Sequence, residues 1–159
     1  MRRKIYSEKE FMKLVKKNAY QVFFFVSRVS MPLFFAAHPW IVTNEKGKMR
    51  RIEVLSYKNK KSGNYVWISE KEFSAPLPVF TGNDAKKYRY SRVIKLFEGS
   101  PAKEIISFLK DIDKKYPEKG RYVYFPGPNS NTFVKWVIHS LGLGVELPKN
   151  AYGERYMIN

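Results

Sequence analysis

The chain changes from an extended segment to a helix at Tyr124-Phe125-Pro126-Gly127-Pro128-Asn129-Ser130-Asn131-Thr132-Phe133. Residues 122–125 are typical of a short strand, and the Pro-Gly-Pro that follows ends it because proline cannot donate to a strand ladder. Asparagine and serine are favoured helix caps, and an apolar helical pattern begins at Phe133. The pattern predicts a strand, a tight turn and a helix over residues 131–141, with Ser130 where the helix begins.

Upstream of this turn, runs of aromatic and β-branched residues predict an antiparallel meander. Its predicted strands cover residues 21–29, 33–43, 50–57 and 65–68, and the alternation of residues 90–97 predicts a further strand. Capping patterns predict a helix after Ser7, and another that has Ser100 as its cap and Pro101 in its first turn. Residues 69–87 resemble an irregular covering loop. Because no linker or repeat divides the chain, we predict a single α+β domain over residues 1–159.

Length and composition suit one globular domain. The chain has 159 residues, of which 44% are hydrophobic. It contains no cysteine, which excludes disulfides, thiolate metal sites and a cysteine nucleophile. With only His38 and His139 available, a histidine-rich zinc site is also disfavoured. We therefore expect neither a metal nor another cofactor.

The net charge of +16 limits the choice of partners. A basic surface attracts nucleic acid or anionic lipid. Here the lysines are spread over every segment and accompany no known nucleic-acid motif, which favours a solvated lysine-rich surface. Arg28, Pro32 and Pro39 interrupt the N-terminal apolar runs, so we predict neither a signal peptide nor a membrane span, and a cytoplasmic location.

Ser130 can be interpreted in two ways. It lies where unpaired backbone N–H groups and the positive end of a helix dipole collect, a place that nucleophiles and oxyanion donors often share. In that interpretation the N–H groups near Asn131 and Thr132 hold the oxyanion, and Asn129 and Asn131 position the turn or the substrate. The alternative is structural: Asn129, Ser130 and Asn131 form a well-capped turn, with Ser130 as the cap.

A serine nucleophile needs a base, and His38 is the candidate. His139 follows on the same helix about 180° away from Ser130, which makes it a surface histidine. Strand alternation places His38 on one face with Trp40 and Val42, where it is either a satisfied core histidine or a base tuned by burial. Glu53, on the neighbouring strand, is the acidic residue that could orient His38.

Several motifs resemble one bacterial family, the domain of unknown function family 3750. They are His38-Pro39-Trp40-Ile41-Val42, Arg51-Ile52-Glu53-Val54, Tyr116-Pro117, the Pro126–Phe133 run, and Leu147-Pro148 with Ala151, Gly153 and Tyr156. The similarity covers residues 33–156, and it implies no substrate. More distantly, Asn129-Ser130-Asn131-Thr132-Phe133 resembles the N-C-x-x-F helix start of permuted papain-like proteins such as the PPPDE peptidases. That likeness implies a papain-like fold in which Ser130 replaces the nucleophilic cysteine.

Three functions follow from these observations. The first is a hydrolase or acyltransferase that acts on an amide or ester, in which Ser130 attacks and His38 takes its proton. The second is a non-catalytic binding module of the same fold, whose partner is a small molecule, peptide or glycan. The third is a basic protein that binds nucleic acid or an anionic surface, with nucleic acid the less favoured partner.

Overall fold

A computed structural model describes residues 3–5, 8–29, 35–56, 66–69, 91–156 and 158. The predicted loop over residues 69–87 lies almost wholly outside them. Six strands and four helices follow one another in these segments. They are β1 (Arg3–Ile5), α1 (Glu8–Met12), β2 (Tyr20–Arg28), β3 (Ala37–Glu45), β4 (Lys48–Val54), β5 (Val66–Ser69), β6 (Ser91–Glu98), α2 (Ser100–Leu109), α3 (Ile112–Lys115) and α4 (Ser130–Ser140).

The strands form one antiparallel sheet in the order β1-β6-β2-β3-β4-β5. Strands β2 to β5 are the predicted meander, each paired with the next. Strand β6 returns to the free edge of β2, and β1 pairs with β6. The prediction of a single-domain α+β fold with an antiparallel sheet is therefore confirmed.

Strand alternation gives the sheet two buried faces of different character. The helix face carries Val22, Phe24, Ile41, Ile52 and Val54, which pack against α2 and α4. The histidine face carries Phe23, Phe25, Trp40 and Val42, which pack with Phe11 of α1. His38 belongs to the histidine face, because it alternates with Trp40 and its ring centroid lies 6.0 Å from that of Trp40.

Helix α4 packs on the sheet as its apolar pattern predicts. Phe133, Val134 and Val137 are buried against the helix face, and Leu141 lies at the margin of the same cluster. α4 contacts both β3 and β4. This packing brings the first turn of α4, and with it Ser130, to the edge of the helix face.

Two local predictions are wrong. Residues 122–125 are not a strand: the Val123 N–H donates to the Pro128 carbonyl at 2.7 Å, a bond inside the turn rather than to a neighbouring strand. Ser100 is not the cap of α2 but its first residue, and Gly99 precedes it with a φ of 67°. Pro101 does lie in the first turn.

Within the described residues, no helix is long and apolar enough to cross a membrane.

Candidate functional site

Asn129, not Ser130, caps helix α4. Its Oδ1 accepts hydrogen bonds from the Asn131 N–H at 2.9 Å and the Thr132 N–H at 3.2 Å. In return, the Asn129 N–H donates to Thr132 Oγ1 at 3.2 Å, which completes a capping box. Ser130 is the first residue inside the helix, so the prediction that it is the cap is wrong by one position. Asparagine is the better cap here because its carboxamide can also donate hydrogen bonds, and the carbonyls of two nearby residues accept them.

All four N–H groups in the first turn of α4 have acceptors. Those of Asn131 and Thr132 bond to the Asn129 side chain, and that of Phe133 donates to the Asn129 carbonyl at 3.0 Å. The N–H of Ser130 bonds to the Tyr122 hydroxyl. A helix start with all its donors paired is structurally complete. The groups expected to hold an oxyanion therefore already have partners within the protein.

The same turn is tied to the C-terminal tail. The Tyr152 carbonyl accepts from Asn129 Nδ2 at 3.0 Å and from Asn131 Nδ2 at 2.6 Å. Thr132 Oγ1 donates to the Gly153 carbonyl at 2.7 Å. Asn129 Nδ2 also donates to the Tyr124 carbonyl at 3.0 Å. The polar residues of the turn thus hold three separate segments of the chain together.

Two glycines make this close approach possible. Gly153 has a φ of 96°, and a Cβ on it would lie 2.6 Å from Asn129 Oδ1 and closer still to Nδ2. Gly127 has a φ of 132°, and a Cβ there would lie 2.7 Å from Thr132 Oγ1. Any other residue at these positions combines backbone strain with a steric clash. The PGPNSNTF run and the tail that contains Gly153 therefore act as one structural joint, which we call the signature joint (residues 124–133 with 152–153).

The Ser130 hydroxyl also has a partner, which sequence analysis did not identify. Both the hydroxyl and the N–H of Ser130 hydrogen-bond to the Tyr122 hydroxyl. Burial raises the pKa of Tyr122, and the two bonds from Ser130 lower it by less, so the phenol stays neutral. The strand pattern of residues 122–125 does not predict this contact of Tyr122, because the contact depends on how the turn folds back on α4.

A buried charged cluster lies on the histidine face. His38 Nε2 is 2.8 Å from Glu53 Oε2, so the two side chains are hydrogen-bonded neighbours. Arg51 binds the same carboxylate through both edges of its fork, with Nε 2.7 Å from Oε1 and Nη2 2.9 Å from Oε2. The guanidinium carbon of Arg51 lies 4.2 Å from the centre of the Trp40 ring. All four side chains are buried.

Glu53 is ionised in this cluster. Burial by itself raises the pKa of a carboxyl group, but the hydrogen bond from His38 and the charges of His38 and Arg51 outweigh burial and lower the pKa of Glu53. With Glu53 ionised, its hydrogen bond requires the proton of the imidazole to be on Nε2.

His38 and Ser130 have different hydrogen-bond partners among the described residues, and the dyad between them stays a prediction. His38 lies on the histidine face, whereas α4 packs against the helix face. In the described part of the chain, His38 bonds to Glu53 and Ser130 bonds to Tyr122. His139 is exposed near the end of α4, as expected. Arg51 was missed as a site residue, although its spacing from Glu53 places both on one strand face.

No group of three histidine, aspartate or glutamate side chains within the described segments could hold a metal ion. No curated protein and no solved structure matches the chain. The likeness to permuted papain-like proteins therefore stays a prediction. One family model does match, over residues 19–156, and its description is a protein of unknown function, DUF3750. These residues include the whole signature joint and the His38–Glu53–Arg51 cluster, and the chain belongs to the DUF3750 family.

Proposed function

We propose that this chain is a peripheral binding domain that docks on anionic lipid surfaces through exposed aromatic side chains beside the signature joint. The observation that carries the proposal is the exposure of two neighbouring residues: the side chains of Tyr124 and Phe125 are 60% and 74% exposed. Such exposure in adjacent aromatic residues of a hydrogen-bonded turn is unusual, because aromatic rings gain most from burial.

Two further aromatic residues extend this surface. Phe35 is 51% exposed and Tyr152 is 42% exposed, and their ring centroids lie 5.9 Å apart. Asn129 Nδ2 donates to the carbonyls of both Tyr124 and Tyr152, which brings the two pairs together. We call these four residues the aromatic patch. The signature joint then has a purpose beyond stability, because it fixes the positions of Tyr124 and Tyr152.

Charge complementarity points to an anionic partner. The chain carries a net charge of +16. Two basic residues are close in the chain to residues of the aromatic patch or to their partners. Arg121 is three residues before Tyr124, and Lys149 precedes Asn150, whose side chain donates to the Phe35 carbonyl at 2.8 Å. Each basic side chain near an anionic membrane contributes about 1 kcal/mol, and aromatic rings settle at the level of the lipid headgroups.

Nucleic acid is the weaker partner. Proteins that stack bases usually present aromatic rings on an open sheet face or groove. In this sheet the central strands are buried on both faces, as Val22, Phe23, Phe24 and Phe25 all have no exposed surface. The most exposed aromatic side chain, Phe125, has no polar group and suits the lipid interface better than base recognition.

The first prediction concerns vesicle binding. Phe125→Ala should weaken binding to vesicles of mixed phosphatidylserine and phosphatidylcholine by roughly 10- to 100-fold, the value of one buried aromatic side chain. Met12→Ala is the matched control, because Met12 is 40% exposed but belongs to α1. Sedimentation with vesicles measures the effect, and binding of the parent should weaken as salt rises.

Two results would contradict the lipid proposal. In the first, Phe125→Ala and the parent bind the vesicles equally well. In the second, the parent binds single-stranded DNA as tightly as vesicles, and Phe125→Ala leaves the DNA affinity unchanged, which would favour a nucleic-acid partner. A peptide or glycan ligand would instead be indicated if the parent binds such a ligand through Phe125 and if neither pure phosphatidylcholine vesicles nor mixed vesicles compete with that binding.

Hydrolase or acyltransferase chemistry is the second candidate. It is favoured by one observation, the 2.8 Å contact between His38 and Glu53, which is how catalytic histidines are oriented. A Ser130–His38 dyad stays a prediction, and it would require the first turn of α4 to rearrange. Labelling of Ser130 by a fluorophosphonate probe, with loss of the label in His38→Ala, would support it.

A further inference from the structure

The histidine face contains a serine that fits His38 better than Ser130 does. Ser27, on β2, pairs directly with His38 across the β2–β3 ladder. Residues that face each other in an antiparallel pair have their Cβ atoms about 4.5–5.5 Å apart. The side chains of Ser27 and His38 are therefore direct neighbours on the histidine face, and Nδ1 is the ring nitrogen of His38 that Glu53 does not occupy.

The Ser27 hydroxyl is buried and has no hydrogen-bond partner within the described residues. The residue as a whole is 8% exposed. A buried hydroxyl normally has a partner, and an exception calls for an explanation such as a catalytic role. This unpaired hydroxyl lies beside a histidine whose other nitrogen already bonds to a buried carboxylate.

Further unpaired donors lie on the same face. Trp40 Nε1, Arg51 Nη1 and the hydroxyl of Ser91, which alternates with Val93 on β6, are buried and have no hydrogen-bond partner among the described residues. Trp40 is close to the proposed site, because β3 pairs with β2 and the Trp40 and His38 ring centroids lie 6.0 Å apart, whereas Arg51 lies one strand further away on β4. An unpaired donor near a nucleophile can stabilise a developing oxyanion.

We propose that Ser27, His38 and Glu53 form a catalytic triad for acyl transfer from small esters. In the first step a bond forms between Ser27 Oγ and the acyl carbon, and the Ser27 proton moves to His38 Nδ1. The ester C–O bond then breaks, and His38 returns that proton to the leaving alcohol. A water molecule, deprotonated by His38, cleaves the acyl-serine and restores the hydroxyl.

The surroundings favour an apolar acyl group. The histidine face beside Ser27 is built from the apolar side chains of Phe23, Phe25, Trp40 and Val42. Arg28, the next residue along β2, is exposed, which places Ser27 near the protein surface at the end of its strand. The unpaired Nε1 of Trp40 is the donor we assign to the carbonyl oxygen. This assignment is independent of lipid docking through the aromatic patch.

A fluorophosphonate probe tests the triad on the full chain. We expect mass spectrometry of the digested protein to find the label on Ser27. Ser27→Ala should abolish labelling, whereas Ser140→Ala, at the exposed end of α4, should label like the parent. His38→Ala should slow labelling by roughly 100-fold or more, the usual contribution of a general base.

A second measurement covers the case in which His38→Ala does not fold. Ser27→Ala changes one small side chain, and it should eliminate the burst of p-nitrophenol that the parent releases from p-nitrophenyl acetate. Circular dichroism verifies that the variant is folded. Label on Ser130 or on any other serine, no label at all, or an undiminished burst from folded Ser27→Ala would each overturn the proposal.

Discussion

Replacing Glu53 with glutamine is expected to lower the free energy of unfolding by about 3–5 kcal/mol, the usual cost of removing one partner from a buried ion pair. Glu53 and Arg51 are 1% and 2% exposed, and Arg51 holds the carboxylate with two contacts shorter than 3 Å. In Glu53→Gln the guanidinium stays buried and charged without a counter-ion. Urea melts at neutral pH measure the change.

The matched control for this prediction is a double variant. Arg51→Met with Glu53→Leu removes both charges and fills a similar volume, so it should recover most of the stability lost in Glu53→Gln. His38 loses its carboxylate partner in both variants, which makes the comparison specific for the Arg51 charge. If the double variant is as unstable as Glu53→Gln, packing rather than the unpaired charge is the cause.

The effect of Glu53 depends on pH with a definite sign. The pKa of Glu53 lies below its ordinary value of 4.5 in the folded protein. A carboxyl group with a lowered pKa contributes stability that is fully present above the unfolded pKa and is lost as the pH falls through the folded pKa. The difference in stability between parent and Glu53→Gln should therefore be largest near neutral pH and should shrink below about pH 4. A constant difference at all pH values would contradict ionisation of Glu53.

The second large effect is expected at Gly153. Gly153→Ala should lower the free energy of unfolding by about 2–5 kcal/mol, because an alanine at positive φ costs about 1–2 kcal/mol and the clash with Asn129 adds overpacking strain of about 1–3 kcal/mol. The Asn129 carboxamide cannot move aside without breaking the helix cap and its bonds to Tyr124 and Tyr152. Chemical denaturation measures the loss.

Gly142 separates the two causes at Gly153. It also has a positive φ, 60°, but nothing lies within 4 Å of a Cβ built on it. Gly142→Ala should therefore show the backbone cost alone. Equal losses for Gly153→Ala and Gly142→Ala would show that the signature joint can relax.

Asn129→Ala should cost more than Ser130→Ala. It removes the helix cap, a loss of about 0.5–2 kcal/mol, and it takes away the donor that Asn129 Nδ2 supplies to the Tyr124 carbonyl, whereas the Tyr152 carbonyl keeps its hydrogen bond from Asn131 Nδ2.

Local patterns in the sequence determined most of the fold. The meander, the returning strand and the last helix each follow from the period of apolar residues, because a strand or helix can bury only the face that its own period makes apolar. This rule alone predicts that Trp40 and Val42 lie on one face of their strand and Ile41 on the other. The same rule predicts that Arg51 and Glu53 lie on a common face of β4, where the two side chains form an ion pair.

Only the tertiary structure decided which polar residues meet. The order of the motifs in the sequence predicts a dyad of His38 and Ser130. Whether two residues so far apart in the chain meet depends on packing across the sheet, and α4 packs on the face opposite His38. Ser27 becomes a neighbour of His38 only through the β2–β3 register, and a strand register is set by all its pairs at once. The signature run predicted a helix start, whereas its contacts with Tyr152 and Gly153 depend on long-range closure of the chain. Periodicity therefore determined the elements and their faces, and the contacts between distant segments determined where chemistry could occur.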